Sequence, residues 1–507
     1  MNTDSGKCIS IWMAAAKVPA HSPLTANAHA DVCIVGAGIA GMTTAYLLAR
    51  EGKSVIVLDD GRIGGGMTER TTAHIFNAID DRYFEIERMH GEKGARLTAQ
   101  SHTAAIDRIE TIIAEERIAC DFERVDGYLF APPGDTSDVL VRELKAAHRA
   151  GLPDVEQIKR APIDSFDTGM CLRFPRQAQF HPLKYLGGLS RAIERLGGRI
   201  YTGTHASKME GGAQARVETS AGHVVTAEAI VIATNTPIND LLAIHTKQAP
   251  YTTYVIGARI PRGSVIKALY WDTLDFYHYV RVQAGEHYDI LLVGGEDHKS
   301  GQADDGDRRH ENLEAWARER FPMIEGVELR WSGQVIEPVD GIAFIGRNPG
   351  DPQNIYIATG DSGMGMTHGT IAGILITDLI MNRECDWTTL YDPARTTLRA
   401  SLEYAKENLN VAVQYEDYLT GGNVGSAEEI ANGDGAIVRR GMSKLAVYRD
   451  EQGTLHERSA VCPHLGCIVS WNTLEKTWDC PCHGSSFDRY GRVINGPANC
   501  DLAGVKK

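Results

Sequence analysis

Five of the chain's ten cysteines, Cys462, Cys467, Cys480, Cys482 and Cys500, fall within its last 46 residues, and no other feature restricts the fold as much. Four of them stand in two short runs, Cys462-Pro-His464-Leu-Gly-Cys467 and Cys480-Pro-Cys482-His483-Gly-Ser485. Each run pairs a thiol with an imidazole two or three positions on, and a fifteen-residue excursion separates the two pairs. Soft thiolates and borderline imidazoles gathered this closely suit one metal centre. A segment this short has little core of its own, so it reads as a small β module stapled by metal and cysteine. Tetrahedral zinc and an iron–sulfur centre both answer to the residues at this point. Cys8, Cys33, Cys120, Cys171 and Cys385 are scattered and read as small buried hydrophobes.

The two runs, with Gly496-Pro497-Ala498 downstream, resemble the Rieske family. The resemblance implies a [2Fe–2S] cluster with Cys462 and Cys480 on one iron and His464 and His483 on the other. It implies a Cys467–Cys482 disulfide tying the two cluster loops together, as in one Rieske subgroup. A reducing cytosol disfavours such a bond, and two free thiols are the alternative. The Gly-Pro-Ala segment corresponds to a proline loop over the cluster. Ser485 matches a serine that in high-potential members bonds a bridging sulfide, and Phe487 stands where those members carry a tyrosine. With one donor missing, the expected potential lies below the top of the Rieske range of roughly −150 to +300 mV. Cys500 matches no ligand.

The second signal lies near the other end. Asp31-Val-Cys-Ile-Val-Gly36 reads as a buried parallel strand, residues 40–51 as a helix and Ser54–Leu58 as a second strand. Gly36-Ala-Gly38-Ile-Ala-Gly41 lies in the turn between strand and helix, and Asp59 ends the second strand. Gly36 permits the tight turn, Gly38 lets backbone approach a pyrophosphate, and Gly41 lets helix and strand pack. The helix N-terminus attracts the phosphates, and Asp59 can hold ribose hydroxyls. Alone, the motif does not separate NAD from FAD.

Gly64-Gly65-Gly66, then Thr68-Glu-Arg70-Thr71-Thr72-Ala-His74, and late in the chain Gly360-Asp361-Ser-Gly363-Met364-Gly365-Met366-Thr367 accompany it. Over residues 30 to 385 these resemble the D-amino-acid oxidase and glycine oxidase superfamily. The resemblance implies FAD, held by Gly36, Gly38, Gly41, Asp59, Thr68, Arg70, Thr71 and Thr72. The 360–367 loop would feed a helix whose N-terminus faces the flavin's pyrimidine end. His74 lies near where some relatives attach flavin covalently, and it reads more simply as a packed histidine. Ala233-Thr234-Asn235 resembles a contact near the dinucleotide. A single GxGxxG in this context argues against a reductase that takes hydride from NAD(P)H.

The expected architecture is therefore an α/β body, a Rossmann-like FAD-binding domain interleaved with an antiparallel substrate sheet, followed by a small all-β Rieske domain. Boundaries are expected as a lead over 1–30, the oxidoreductase domain over 31–392, a helical linker over 393–422 and the Rieske domain over 423–507. Helical patterns span 86–117, 136–150, 369–381 and 393–418, whereas 199–235, 251–294 and 354–359 read as strands. Arg176 to Tyr185 reads as the lead into a helix started by Pro182.

The resemblance implies oxidation of a small amine or amino acid by hydride transfer to flavin N5. Electrons would then pass singly through the cluster to an external acceptor. Tyr251–Tyr254 and the aromatic stretch Tyr270 to Arg281 fit the substrate sheet. Arg281 is the candidate partner for a substrate carboxylate, with Tyr254 and His278 as polar companions. An ordinary ion pair or packed core position is the plain alternative for each.

A formal charge of −14 argues against a nucleic-acid surface. No run of about 18 apolar residues marks a membrane span. Ile9 to Ala16 lacks a basic lead and is flanked by Lys17 and Pro19, so a cytoplasmic protein is expected. A homo-oligomer is compatible with the sequence. Three other readings stay open: a non-catalytic electron-transfer or redox-sensing protein, reverse flow from cluster into flavin, and a Rieske oxygenase. The last needs a mononuclear iron site, for which only His298 and His310 around Asp304, Asp305 and Asp307 offer ligands.

Overall fold

The computed structural model describes residues 8–132, 138–239, 244–274, 277–418 and 420–505. Asp275 and Phe276 of the aromatic stretch, residues 136–137 of one expected helix and residues 1–7 of the lead lie outside them. The strands Val32–Val35 and Val55–Leu58 are buried along their whole length. Unbroken β-branched runs of this kind suit the interior of a parallel sheet covered on both faces. They sit in a six-stranded sheet ordered Phe344–Arg347, Ile355–Thr359, Ala229–Ile232, Val32–Val35, Val55–Leu58, Arg199–Tyr201. All neighbours are parallel except Phe344–Arg347, which runs antiparallel to Ile355–Thr359. The helices Ile39–Arg50 and Gly365–Ile380 pack closely against each other in the core of this body.

A nine-stranded sheet stands beside the first. Gly326–Pro338, Gln248–Ile260, Asp289–Lys299 and Tyr279–Gln283 are its first four strands in spatial order, all antiparallel. Leu269–Asp272 then joins Glu123–Phe130, the one parallel pairing, and Cys171–Gln179 and His74–Ile75 follow. This sheet is thus built from segments that lie in the chain between strands of the six-stranded sheet. The long helix Tyr83–Glu116 takes in the expected 86–117 up to its left-handed C-cap Arg117, with a break at Gly91, whose φ is 73°.

The lead is part of the fold. Ser10 caps the helix Ile11–Ala15 and donates its hydroxyl to the Glu69 carbonyl at 2.6 Å. Trp12 is fully buried, donates to the Thr71 carbonyl at 2.6 Å and tilts onto the His181 ring. Burying an indole contributes several kcal/mol. Here it braces the 67–72 loop from behind.

Residues 393–418 form the helix Ser401–Gln414 flanked by 3-10 turns. Arg395 anchors its start, with Nε 2.9 Å and Nη2 2.7 Å from the two oxygens of buried Asp340. Beyond it come a three-stranded sheet, Asp434–Arg440, Ser443–Arg449 and Leu455–Ser459, and a four-stranded one, Ser470–Asn472, Thr477–Asp479, Ser486–Asp488 and Val493–Asn495. All their pairings are antiparallel. Among the described residues no helix is long and apolar enough to cross a membrane.

Candidate functional site

The two cysteine runs form matching loops. Gly466 N donates to the Cys462 carbonyl at 3.0 Å, and Gly484 N to the Cys480 carbonyl at 3.1 Å. Both glycines hold positive φ, 85° and 79°, which the reversal requires. A Cys467–Cys482 disulfide ties the loops, with Cα atoms 6.4 Å apart. Cys462 and Cys480 lie in hydrogen-bond contact with each other. The His464 and His483 rings are 5.0 Å apart at 89°. His483 Nδ1 is buried with no hydrogen-bond partner among the described residues, which is how a metal-ligand nitrogen looks without its metal. Two thiols and two imidazoles converging from tied loops fit a two-iron cluster. The sulfurs of Cys467, Cys480 and Cys482 also lie within 4.8 Å of one another, but two of these are spent in the disulfide. Ser485 is fully buried, accepts from Ala498 N at 2.9 Å and bonds the Cys462 sulfur. Phe487 is buried behind it.

The dinucleotide loop opens onto a cavity of about 270 Å³. A Cβ on Gly36 would strike the Ala233 carbonyl, and one on Gly41 the Gly36 carbonyl. The side-chain-free turn thus leaves backbone facing the cavity at the N-terminus of Ile39–Arg50. Asp59 accepts from Ala37 N at 2.7 Å and Gly61 N at 2.8 Å. Burial, helped by Asp60, raises it to about 6 against those two N–H groups. Thr68 Oγ1 accepts from Ile39 N at 3.1 Å, which locks the second glycine-rich segment onto the first helix turn. At the far end Gly363, at φ 69°, and Gly365 bring the N-terminus of Gly365–Ile380 to the cavity. A long cleft bounded by two helix N-termini and lined by the Asp59 carboxylate fits a dinucleotide carrying a ring system.

Gly36, Gly38, Asp59, Thr68, Arg70, Thr71, Thr72, Gly360, Asp361, Gly363, Gly365 and Met366 all line this cavity. Gly41, Met364 and Thr367 stand behind its surface, with Thr367 Oγ1 donating to the Met364 carbonyl at 3.1 Å. His74 lines it, Nδ1 3.0 Å from Thr72 Oγ1, and burial lowers its pKa to about 3, so the ring is neutral. Ala233, Thr234 and Asn235 line it as well.

Arg281, Tyr254 and His278, expected to meet the substrate, are not among the residues lining the cavity. Arg281 is buried and donates to the carbonyls of Thr72 and Ala73, both at 3.0 Å, and to Gln283 at 2.7 Å, with its guanidinium over Trp12. It is a structural tie. His278 stacks on Trp316 and pairs with Asp272 at 3.0 Å. Tyr254 packs between His298 and His310 on the sheet's other face. Those two histidines are ring neighbours of a tyrosine, and Asp305 pairs with Arg309 at 2.7 Å. Instead Thr253, Tyr277, Tyr279 and Asp297 line the cavity, with Asp80 and Glu337. Strand side chains alternate faces, so Thr253 and Tyr279 point opposite to their neighbours Tyr254 and His278. The aromatic stretch signalled the right strands, but nothing in it fixed which parity faced inward.

Residues Val493 to Gly496, Ala498 and Asn499 line the same cavity, so the cysteine-rich module closes it. Gln334 bridges the two. Its Nε2 donates to the Gly484 carbonyl at 2.8 Å, next to His483, and its Oε1 accepts from Asn495 Nδ2 at 2.6 Å. His245 stacks edge-on against His464 at 4.7 Å. Glu475 reaches back to Arg70 at 3.1 Å and Ser332 Oγ at 2.5 Å.

These features define an FAD-dependent oxidoreductase with a Rieske domain docked on its flavin cleft. The chain belongs to the FAD dependent oxidoreductase (DAO) family, whose model matches residues 31–379, and the Rieske [2Fe-2S] domain model matches 422–506. It is 31% identical to the Rieske 2Fe-2S iron-sulfur protein YhfW of Bacillus subtilis (strain 168), over 96% of this chain and 95% of that one. It is 28% identical to the gamma-glutamylputrescine oxidoreductase of Escherichia coli (strain K12), over 69% of this chain and 83% of that one. The glycine oxidase of Geobacillus kaustophilus shares its fold, with a TM-score of 0.61 at 18% identity over 73% of this chain and all of that one. FAD and a [2Fe–2S] cluster are the cofactors, and the protein is an enzyme.

Proposed function

We propose that the protein oxidises the C–N bond of a small amine or amino acid and exports the electrons one at a time through its own Rieske cluster. The observation that carries this reading is the shared cavity, whose walls come from the dinucleotide loop, the substrate sheet and residues 493–499 of the Rieske domain. The gamma-glutamylputrescine oxidoreductase is a relative whose name specifies an amine.

Bound FAD would supply a two-electron acceptor for the hydride and a bound cluster a one-electron relay to an external acceptor, with the amine's proton going to solvent and water hydrolysing the imine to carbonyl and ammonia. Cys462, His464, Cys480 and His483 hold the cluster in this reading, Ser485 bonds its sulfur shell, and the Cys467–Cys482 disulfide fixes the loops. Gly36, Gly38 and Asp59 hold the adenosine diphosphate, with Gly41 allowing the helix to pack. The Thr68–Thr72 segment and the Gly360–Thr367 loop frame the ring. Phe76, Trp271 and Tyr279 exclude water from the reacting carbon, so positioning does most of the work and no side-chain base is required. The soluble cytoplasm is the compartment this chemistry suits.

The test is anaerobic mixing with amines, amino acids and, separately, NAD(P)H, following flavin absorbance and the reduced-cluster EPR signal together. Bleaching by an amine followed by growth of the cluster signal is expected. Reduction of the flavin only after an external reductant has filled the cluster would overturn the direction of flow.

A further inference from the structure

The cavity wall supplied by the antiparallel sheet and the loop before Tyr83 is acidic. Asp80, Asp297 and Glu337 all line it. Their oxygens meet hydroxyls: Tyr277 donates to Asp80 Oδ2 at 3.1 Å, Ser362 to Glu337 Oε2 at 2.6 Å, and Thr253 to Asp297. Asp297 Oδ1 is buried with no hydrogen-bond partner among the described residues. The nearest guanidiniums are turned elsewhere. Arg82 donates to the backbone carbonyl of Asp80 at 2.7 Å, and Arg309 pairs with Asp305 at 2.7 Å. Burial raises Asp80 to about 7 despite Arg82 nearby, and Asp297 to about 6 despite the Thr253 hydroxyl and Arg309.

A substrate carboxylate, by contrast, finds no free cation. Arg70 is the one lysine or arginine among the described lining residues, and its guanidinium faces the Ser332 carbonyl at 2.9 Å and Glu475 at 3.1 Å. Arg281 is tied to backbone carbonyls outside the cavity. Tyr277 and Tyr279, with ring centroids 5.6 Å apart, add aromatic faces suited to an alkyl stem and a cation.

From this we propose that the substrate is a carboxylate-free aliphatic diamine, one nitrogen neutral and oxidised, the other an ammonium held among Asp80, Asp297 and Glu337. The inference rests on the amine oxidation proposed above and names its substrate class. The carbon beside the neutral nitrogen gives up a hydride to the flavin and that nitrogen gives up a proton. Water then displaces it as ammonia, leaving an aminoaldehyde, and the electron pair leaves through the cluster to a one-electron carrier.

The test compares 1,4-diaminobutane, 1-aminobutane and 4-aminobutanoate on the holoenzyme, by calorimetric dissociation constants under anaerobic conditions and by flavin reduction rates. The diamine is expected to bind at least tenfold more tightly than the monoamine and about a hundredfold more tightly than the amino acid. Asp297→Asn, and separately Glu337→Gln, should weaken diamine binding tenfold or more while leaving the monoamine within twofold. Binding of 4-aminobutanoate as tight as that of the diamine, with the flavin still reduced by amines, overturns the diamine inference alone. If no amine binds or reduces the flavin, both this inference and amine oxidation fall.

Discussion

The cluster loops and the substrate wall are both built from polar side chains pointing at a shared space, yet they are assembled in opposite ways. The four residues proposed to hold the cluster span Cys462 to His483, in two loops of matching turn geometry joined by a disulfide. The acidic cavity wall takes Asp80, Thr253, Tyr279, Asp297 and Glu337 from separate elements that together span more than 250 residues of the chain. A local site is written in spacing, whereas a dispersed one exists only once strand register and face are set.

The sharpest break in that comparison is the loss of one cluster residue. Cys480→Ser should abolish the reduced-cluster EPR signal and drop iron far below about two per chain, with FAD content retained. A full cluster in that variant would remove Cys480 from the proposed set. Next in size is the contact between the regions. Glu475→Ala leaves Arg70 partly buried without its carboxylate, a loss of about 3–5 kcal/mol for a buried pair. Urea unfolding should then show the Rieske domain releasing before the flavin domain, whereas an unchanged single transition would mean the docking does not depend on this pair.

A smaller effect links the linker to acid stability. Burial alone would raise Asp340, but the two-pronged Arg395 guanidinium, with His90 and Thr397, holds it down to about 2 from 3.8. The depressed carboxyl therefore contributes about 2 kcal/mol of stability above pH 4, lost as pH falls through about 2. The stability difference between wild type and Arg395→Met should shrink over that window; a constant difference would assign Arg395 a packing role only. The smallest change expected is at Phe487. Phe487→Tyr supplies the missing donor, and a redox titration should read a rise of roughly 50 mV, the one-electron equivalent of about 1 kcal/mol for a typical net hydrogen bond. A shift downward would mean the hydroxyl faces away from the cluster.

Much of both cofactor sites was legible. Glycine spacing after a buried strand marked the dinucleotide turn, because the Cβ-free backbone at Gly36 and Gly41 is a local requirement. The substrate side was not legible in the same way. Tyr254 and His278 have the right chemistry but alternate with the cavity-lining Thr253 and Tyr279, and the sequence of an aromatic stretch does not say which face turns inward; Arg281 shares the parity of Tyr279, but its guanidinium is engaged by the distant Thr72 and Ala73 carbonyls instead. Trp12 carries no local signal of its role, because its partners, Thr71, His181 and Arg281, are far along the chain.

The sequence by itself determined the class of the protein, two cofactor-binding modules in order, since metal-ligand spacing and phosphate-binding turns are short-range constraints. Only the tertiary structure decided that the Rieske domain closes the flavin cleft of its own chain through Gln334, Asn495 and Glu475, and that Asp80, Asp297 and Glu337 line one cavity. Those facts depend on register, strand parity and domain docking. They are summed over contacts between distant residues, and no local pattern carries them.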